Sequence, residues 1–514
     1  MKKLLLVLFT FSFISFINAQ DKPEAEPLQY PFDEIGTEST RGIFGLDDRK
    51  EVKDAEGISD YVRATAVMIP KKNIKDNKVY GETLRELLTY QFGTSNFDSN
   101  VKFLDQPTCA YCTGFLIAPD ILVTAGHCIK TLEDANDYVW VFDYTNELKH
   151  STFFGYVEVN PKNIYDVKEV LGAELADTED GKVDYSVLRL DRQSERKPYR
   201  IRTSGKVSTW GDVTTIGSPT GLPLKVVDNS WVSDNSPKTW FKNSIDGFPG
   251  NSGGPVFNEN GFIEGIHVRG AVEYNNGRYT SDYKYDEACD CVKTVEFQFI
   301  FGTAGSQAHR IMEMPHDLLL RALYENLEFA IRNHLPSRFK SWLIYTWMFD
   351  RDYTQNRGRL DLVAAEVNNL EALKEIRKKS KTILSSDDEM AMLKLAIDHN
   401  NIDMLDYLLA DGLSPNNDLV SFSLLEHSLN RGKLDATMLL IDYDANVFIM
   451  NNQNENLLHI AARTGNMSLI KKLIEKGVSA NAKNYNGKRP EDIAKKYKNT
   501  TAQKYLKKAR RGKL

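Results

Sequence analysis

Four segments of this 514-residue chain lie over one another: Asn368 to Ile376, Asn400 to Leu408, Gly432 to Leu440 and Gly465 to Leu473, at steps of 32, 32 and 33 residues. A small residue stands at a matching place before each: Ala364, Ala396, Ser428 and Ala461, then Ala494 once more. A small side chain at a fixed place lets two helices touch; a turn follows, and the second helix offers a new apolar face. One such pair cannot bury its own apolar surface, so residues 357–514 are expected to stack as an all-α solenoid of four repeats with a C-terminal cap from Pro490. The Leu-, Trp- and Tyr-rich stretch before it, residues 306–356, reads as a helical connector.

The N-terminal part carries shorter patterns. In Cys112 to Cys128, "CTGFLIAPDILVTAGHC", the apolar runs Gly114 to Ala118 and Ile121 to Ala125 flank Pro119-Asp120, which predicts a hairpin ending at His127. "GKVDYSVLRLD" sets Asp184 just before the strand-like run Tyr185 to Leu190, and "GNSGGPVF" frames Ser252 with glycines. Each alone is weak, because histidines, acids and glycines all punctuate turns. Together they are the three parts of acyl transfer: a weak hydroxyl, an imidazole to take its proton, and a carboxylate to fix the imidazole tautomer. Backbone N–H groups of Gly250 and Ser252 would form the oxyanion hole, with glycine at 250 because the chain must turn its amides inward there.

The first residues, "MKKLLLVLFTFSFISFINAQ", place two lysines before a short apolar run and Ile17-Asn18-Ala19, the form of a secretory signal over residues 1–19. The run is too short to span a membrane, and no later segment is long and apolar enough. Export to the exterior or periplasm permits disulfides among the five cysteines, Cys109, Cys112, Cys128, Cys289 and Cys291, with one thiol left over. A zinc site from Cys109, Cys112, Cys289 and Cys291 is the weaker reading; no cofactor or metal is expected. The net charge of −6 gives no reason to expect nucleic acid.

With "TAGHC" (Thr124 to Cys128), "VDYSVLRL" (Val183 to Leu190), "GSPTGLPLK" (Gly217 to Lys225), "GFPGNSGGPVF" (Gly247 to Phe257) and "EGIHVRG" (Glu264 to Gly270), residues 42–305 resemble a trypsin-like serine peptidase of the bacterial glutamyl-endopeptidase branch. "GLDDRKEV", Gly45 to Val52, resembles that branch too. The resemblance implies two packed antiparallel β-barrels, with the His127, Asp184 and Ser252 triad at their junction and a Cys112 to Cys128 disulfide beside it. Cys109 is then expected to pair with Cys289 or Cys291. Asn251 stands where pancreatic-type relatives carry the aspartate of their activation switch, so a propeptide at 20–41 would act by blocking the site or aiding folding. In the C-terminal part, "LLHIAARTGN", Leu457 to Asn466, resembles ankyrin repeats.

Two residues point in opposite directions on specificity. By resemblance, His267 would line the primary pocket and bind a substrate carboxylate, favouring cleavage after Glu or Asp. Asp246, six residues before Ser252, is where trypsin-like enzymes with basic specificity carry their pocket acid, and a broader or apolar preference is the third reading, since Gly247 replaces the hydroxyl residue that assists glutamate binding in the branch the chain resembles. The expected whole is a multidomain chain: an all-β serine endopeptidase acting on peptides or proteins, then an ankyrin module that binds a protein. The alternative is a binding protein on an inactive protease scaffold.

Overall fold

The computed structural model describes residues 43–55, 57–151, 155–270, 274–275, 278–279, 282–297, 305–350, 358–378, 384–416 and 423–513. The expected export signal and leading segment 20–41 lie outside them. The chain divides after Leu323 into two compact units.

The first unit is built on two sheets. Strands β1 (Thr65–Pro70), β2 (Cys112–Ala118), β3 (Ile121–Thr124), β4 (Tyr138–Phe142), β5 (Ile164–Tyr165), β6 (Val167–Thr178) and β7 (Gly181–Leu190) form an antiparallel half-barrel in the order β5-β4-β1-β2-β3-β7-β6. Strands β1, β2 and β3 are buried along their whole length, which is why they read as unbroken apolar runs instead of alternating ones. The second sheet contains β8 (Arg200–Ile201), β9 (Asp212–Gly217), β10 (Lys225–Asp234), β11 (Trp240–Asn243), β12 (Pro255–Asn258), β13 (Phe262–Arg269) and β14 (Ser306–Arg310). Its order β13-β12-β9-β10-β11-β14 returns to β13 through the pairs Gly265↔Arg310, Ile266↔His309 and His267↔Ala308, so six strands close into a barrel. Val213, Val227, Val232, Phe241, Ile245, Val256 and Ala308 fill it. The barrel therefore runs past residue 305: β14 is its closing strand, not part of a connector. Helix α1 (His316–Arg332) follows, and its Leu318 lies so near Gly172 of β6 that a Cβ there would come within 2.9 Å.

The second unit is helical. After α2 (Pro336–Phe349) come five helix pairs among the described residues: α3/α4 (Gly358–Glu366, Leu370–Arg377), α5/α6 (Ser386–Asp398, Ile402–Ala410), α7/α8 (Leu424–Asn430, Leu434–Asp442), α9/α10 (Leu457–Thr464, Met467–Glu475) and α11/α12 (Pro490–Lys496, Thr500–Arg510). Ala364, Ala396, Ser428, Ala461 and Ala494 are all 0% exposed, as residues at helix contacts must be. The second helices start on recurring caps: the N–H groups of Ala372, Met404 and Leu469 donate to the side chains of Asn369, Asn401 and Asn466. At α8 that cap is missing because Lys433 takes its place.

Candidate active site

The β2–β3 hairpin delivers His127 through Ala125-Gly126. A Cβ at Gly126 would stand 2.3 Å from the Glu174 carbonyl oxygen, so the chain passes there only as glycine. Strand β7 runs beside β3, with Ser186 opposite Thr124, and this register carries Asp184 alongside His127. The Asp184 carboxylate accepts twice from that one residue: Oδ1 from the His127 backbone N–H at 3.1 Å, and Oδ2 from Nδ1 at 2.8 Å. Asp184 lies inside the strand, not just before it, and is 1% exposed. Burial pushes its carboxyl up, but the imidazole of His127 and the guanidinium of Arg269 more than offset this and hold it below the usual value. The neighbouring acid Asp180 is engaged elsewhere, with Lys238.

The Ser252 turn is fastened to the same hairpin through one residue. Thr113 of β2 donates its N–H to the Ser252 carbonyl at 2.8 Å and its hydroxyl to the Gly250 carbonyl at 2.7 Å. Its own carbonyl accepts the hydroxyl of Thr124 on β3 at 2.7 Å. Gly250 has φ +89° and Gly253 φ +88°. A Cβ would meet the Ser218 carbonyl oxygen at 2.2 Å in the first case and the Thr113 oxygen at 2.1 Å in the second. The glycines around Ser252 are thus forced by conformation and by contact. Among the described residues, no acceptor takes the Gly250 N–H.

Cys112 and Cys128 are joined in a disulfide, tying β2 to the residue after His127. The second bridge differs from expectation: Cys289 pairs with Cys291, and Cys109 is free. Cys109 is fully buried against Gly81, where burial pushes its thiol up to about 12 despite a hydrogen bond with Tyr144, whereas Cys291 opens a strand whose partner ends at Asp286. Cys112, His127 and Cys128 offer donor atoms within 4.8 Å of one another, but the two sulfurs are bonded to each other and neither is a thiolate.

Asp246 holds two backbone N–H groups of the incoming chain. Its Oδ1 accepts the Phe44 N–H at 2.8 Å and its Oδ2 the Asp48 N–H at 3.3 Å, so it secures the incoming "GLDDRKEV" segment. In that segment Arg49 is buried, bonded to Asp47 and laid 4.0 Å over the Phe248 ring. His267, 1% exposed on β13, exchanges backbone hydrogen bonds with the turn: Gly253 N–H to its carbonyl, and its N–H to Gly254. Its Cε1 would stand 3.3 Å from a Cβ at Gly247, and the Ser306 hydroxyl oxygen 2.6 Å from that Cβ. No side chain fits at 247 because β14 brings a hydroxyl to that place from elsewhere in the chain.

Sequence reasoning missed Thr113, Ser306, Arg269 and His309. Arg269 Nη2 lies 3.5 Å from Asp184 Oδ2, and the His309 ring stacks on Tyr185 with centroids 5.6 Å apart. Only the closing β13–β14 pairing brings these two to the acid, and no local pattern announces it.

A closed antiparallel barrel beside a half-barrel, with a histidine and an acid locked together near a glycine-framed serine, defines a peptidase-like unit, and the five helix pairs define a repeat solenoid. Residues 112–266 match the family of trypsin-like peptidase domains, and residues 424–512 match ankyrin repeats in three copies. The chain thus carries a trypsin-like peptidase domain followed by ankyrin repeats. It is similar to the "Extracellular metalloprotease" of Bacillus subtilis (strain 168), 26% identical over 196 residues that cover 36% of this chain and 59% of that protein. It is also similar to "Alpha-latroinsectotoxin-Lt1a" of Latrodectus tredecimguttatus, 30% identical over 107 residues, 21% of this chain and 8% of the toxin. The chain spans less than two thirds of the length of either relative.

Proposed function

We propose that this chain is an exported serine endopeptidase that hydrolyses peptide bonds through a covalent acyl-enzyme, with its ankyrin repeats holding a protein substrate or partner. The observation that carries the reading is the double acceptance by Asp184 of both N–H groups of His127, beside a turn that cannot be built without glycine. Nδ1–H bound to Asp184 leaves Nε2 as the base. Ser252 Oγ attacks the scissile carbonyl while His127 takes its proton; the oxyanion is met by the N–H groups of Gly250 and Ser252; the amine leaves with the proton from His127, and water then repeats the sequence on the ester. Export in the secreted or periplasmic sense fits the expected signal at residues 1–19.

Treatment with an organophosphonate tests this reading. Stoichiometric loss of activity with the adduct on Ser252 is expected; a folded protein that takes up no label would instead be a binding protein on an inactive scaffold. The word metalloprotease belongs to the Bacillus relative. Because the sulfurs nearest His127 form a disulfide, hydrolysis here is expected to survive a strong chelator.

For specificity, the reading is cleavage after Glu or Asp with His267 as the carboxylate partner, since both oxygens of Asp246 already hold backbone N–H groups. Profiling a peptide library with wild type and His267→Ala decides it. Cleavage after Arg or Lys, unchanged by the substitution, would remove His267 from the pocket.

A further inference from the structure

The acid of the site has a neighbour outside the three residues expected to do the chemistry. Arg269 ends β13, two positions after His267, and the register against β14 shifts between those two residues. Such an irregularity re-aims the next side chain. Here the Arg269 guanidinium reaches Asp184, with Nη2 3.5 Å from Oδ2, the oxygen that accepts the His127 Nδ1–H. Its side chain is 19% exposed, and Nη1 is buried with no partner among the described residues. One arm of the fork thus lies against the acid, and the other is buried beside it.

We infer that Arg269 is a positioning residue that holds Asp184 as a fixed anion beneath His127 and so carries peptide-bond hydrolysis to more acid pH. The inference rests on the serine-peptidase reading and deepens it. Asp184 is surrounded as follows. His127 meets it from the hairpin and Arg269 from β13. On β14, His309 is 1% exposed, and burial drives it down to about 4, so it is a neutral floor and supplies no second cation. On β6, Leu175 is its partner in the ladder, while Glu174 faces the Tyr185 hydroxyl at 3.5 Å instead. Arg269 is therefore the permanent cation at this carboxylate. A carboxylate so deeply buried is costly as an anion unless charge and hydrogen bonds compensate. A cation lowers the carboxyl's pKa, so removing it raises that value, and the Asp184–His127 pair takes up a proton at a higher pH. With that proton in place the imidazole no longer serves as an oriented base, and activity falls.

The test is the pH profile of kcat/KM for wild type, Arg269→Gln and Arg269→Lys on a small peptide substrate, with folding checked by thermal melts and wild type first shown to be labelled on Ser252 by the phosphonate. The acid limb of Arg269→Gln should move upward, with about a tenfold lower kcat/KM one pH unit below the wild-type limb, the loss falling in kcat and not in KM. Lysine, which keeps the charge, should restore most of it. An unmoved acid limb in Arg269→Gln, or a loss confined to KM, overturns the inference while leaving the serine-peptidase reading intact. Unlabelled wild type overturns both. If Arg269→Gln does not fold, Arg269→Met, which keeps the aliphatic stem, takes its place. Should neither fold, while Arg269→Lys folds and keeps the wild-type profile, Arg269 acts through stability, and the inference fails.

Discussion

The two units of this chain use sequence distance in opposite ways. In the β-unit, Asp184 takes the two N–H groups of His127 from 57 positions away, and Thr113 hooks Gly250 from 137 positions away. Each such bond occurs once. In the helical unit, His399 donates to the Glu366 carbonyl and Asn401 to Asn368 across 33 positions, and Lys476 meets Asp444 across 32, so much the same link recurs from one repeat to the next. A site assembled from unique long-range bonds is lost when one member goes. A stack of similar contacts is weakened in proportion to what is removed.

That contrast is broken most easily at its largest consequence. A chain ending before Ser306 lacks β14, leaves the edges of β11 and β13 unpaired and removes Ala308 from the barrel core. It should give no cooperative thermal transition for the β-unit, whereas a chain ending after Arg332 should keep one and still hydrolyse small esters. Ester hydrolysis by the shorter chain would show that the barrel does not need to close. Next come Ser252→Ala and His127→Ala, each expected to lower kcat/KM by about three or more orders of magnitude with the melt unchanged. Near-wild-type turnover in either purified variant would discard the triad.

The same distinction explains what could be read before the fold was known. The repeat, with its small residues at Ala364 to Ala494, is visible because each unit restates it, and the β2–β3 hairpin because its apolar runs and turn are adjacent. The glycines around Ser252 are visible because positive φ and close contact leave a mark at the residue itself. Arg269 and Ser306 leave no such mark: their roles come from the register of β13 against β14, which closes a ring across a long stretch of chain. The pairing of Cys289 with Cys291 was hidden for the same reason, since only the fold shows that Cys109 points into the core at Gly81. The barrel's end is hard to place from sequence because β14 is five residues long and precedes a long helix.

In the solenoid, Ala396→Leu adds three carbons where the residue is 0% exposed. Overpacking of this kind costs about 1–3 kcal/mol. Hydrolysis of a small ester should be unchanged, while the melt of the helical unit falls. Loss of ester hydrolysis would mean that the repeats act on the catalytic chemistry.

The smallest expected effect lies at the edge of the site, where Asp48 and Asp246 face each other. Burial, with the nearby charge of Asp48, holds the Asp246 carboxyl well above the usual carboxylate range, although the Phe44 N–H and Arg49 pull it down. Asp48 is likewise raised, by burial first and by Asp228 and Asp47. A carboxyl whose folded-state value lies above its unfolded one stabilises the fold fully below the unfolded value of about 3.9, and that contribution is lost as pH rises through the folded value. Wild type should therefore lose stability between mildly acid and alkaline pH in this part of the β-unit. Asp48→Asn removes the like charge, so Asp246 ionises with less penalty and the loss becomes shallower. At pH 4 the variant should melt with wild type or slightly below it. At pH 8 it should be more stable by about 1 kcal/mol, or roughly 2–4 °C in a unit of this size. If Asp48→Asn instead melts below wild type by the same margin at both values, the pair is held by its hydrogen bonds and not strained by its charge, and the "GLDDRKEV" segment is anchored as firmly at alkaline pH as in acid.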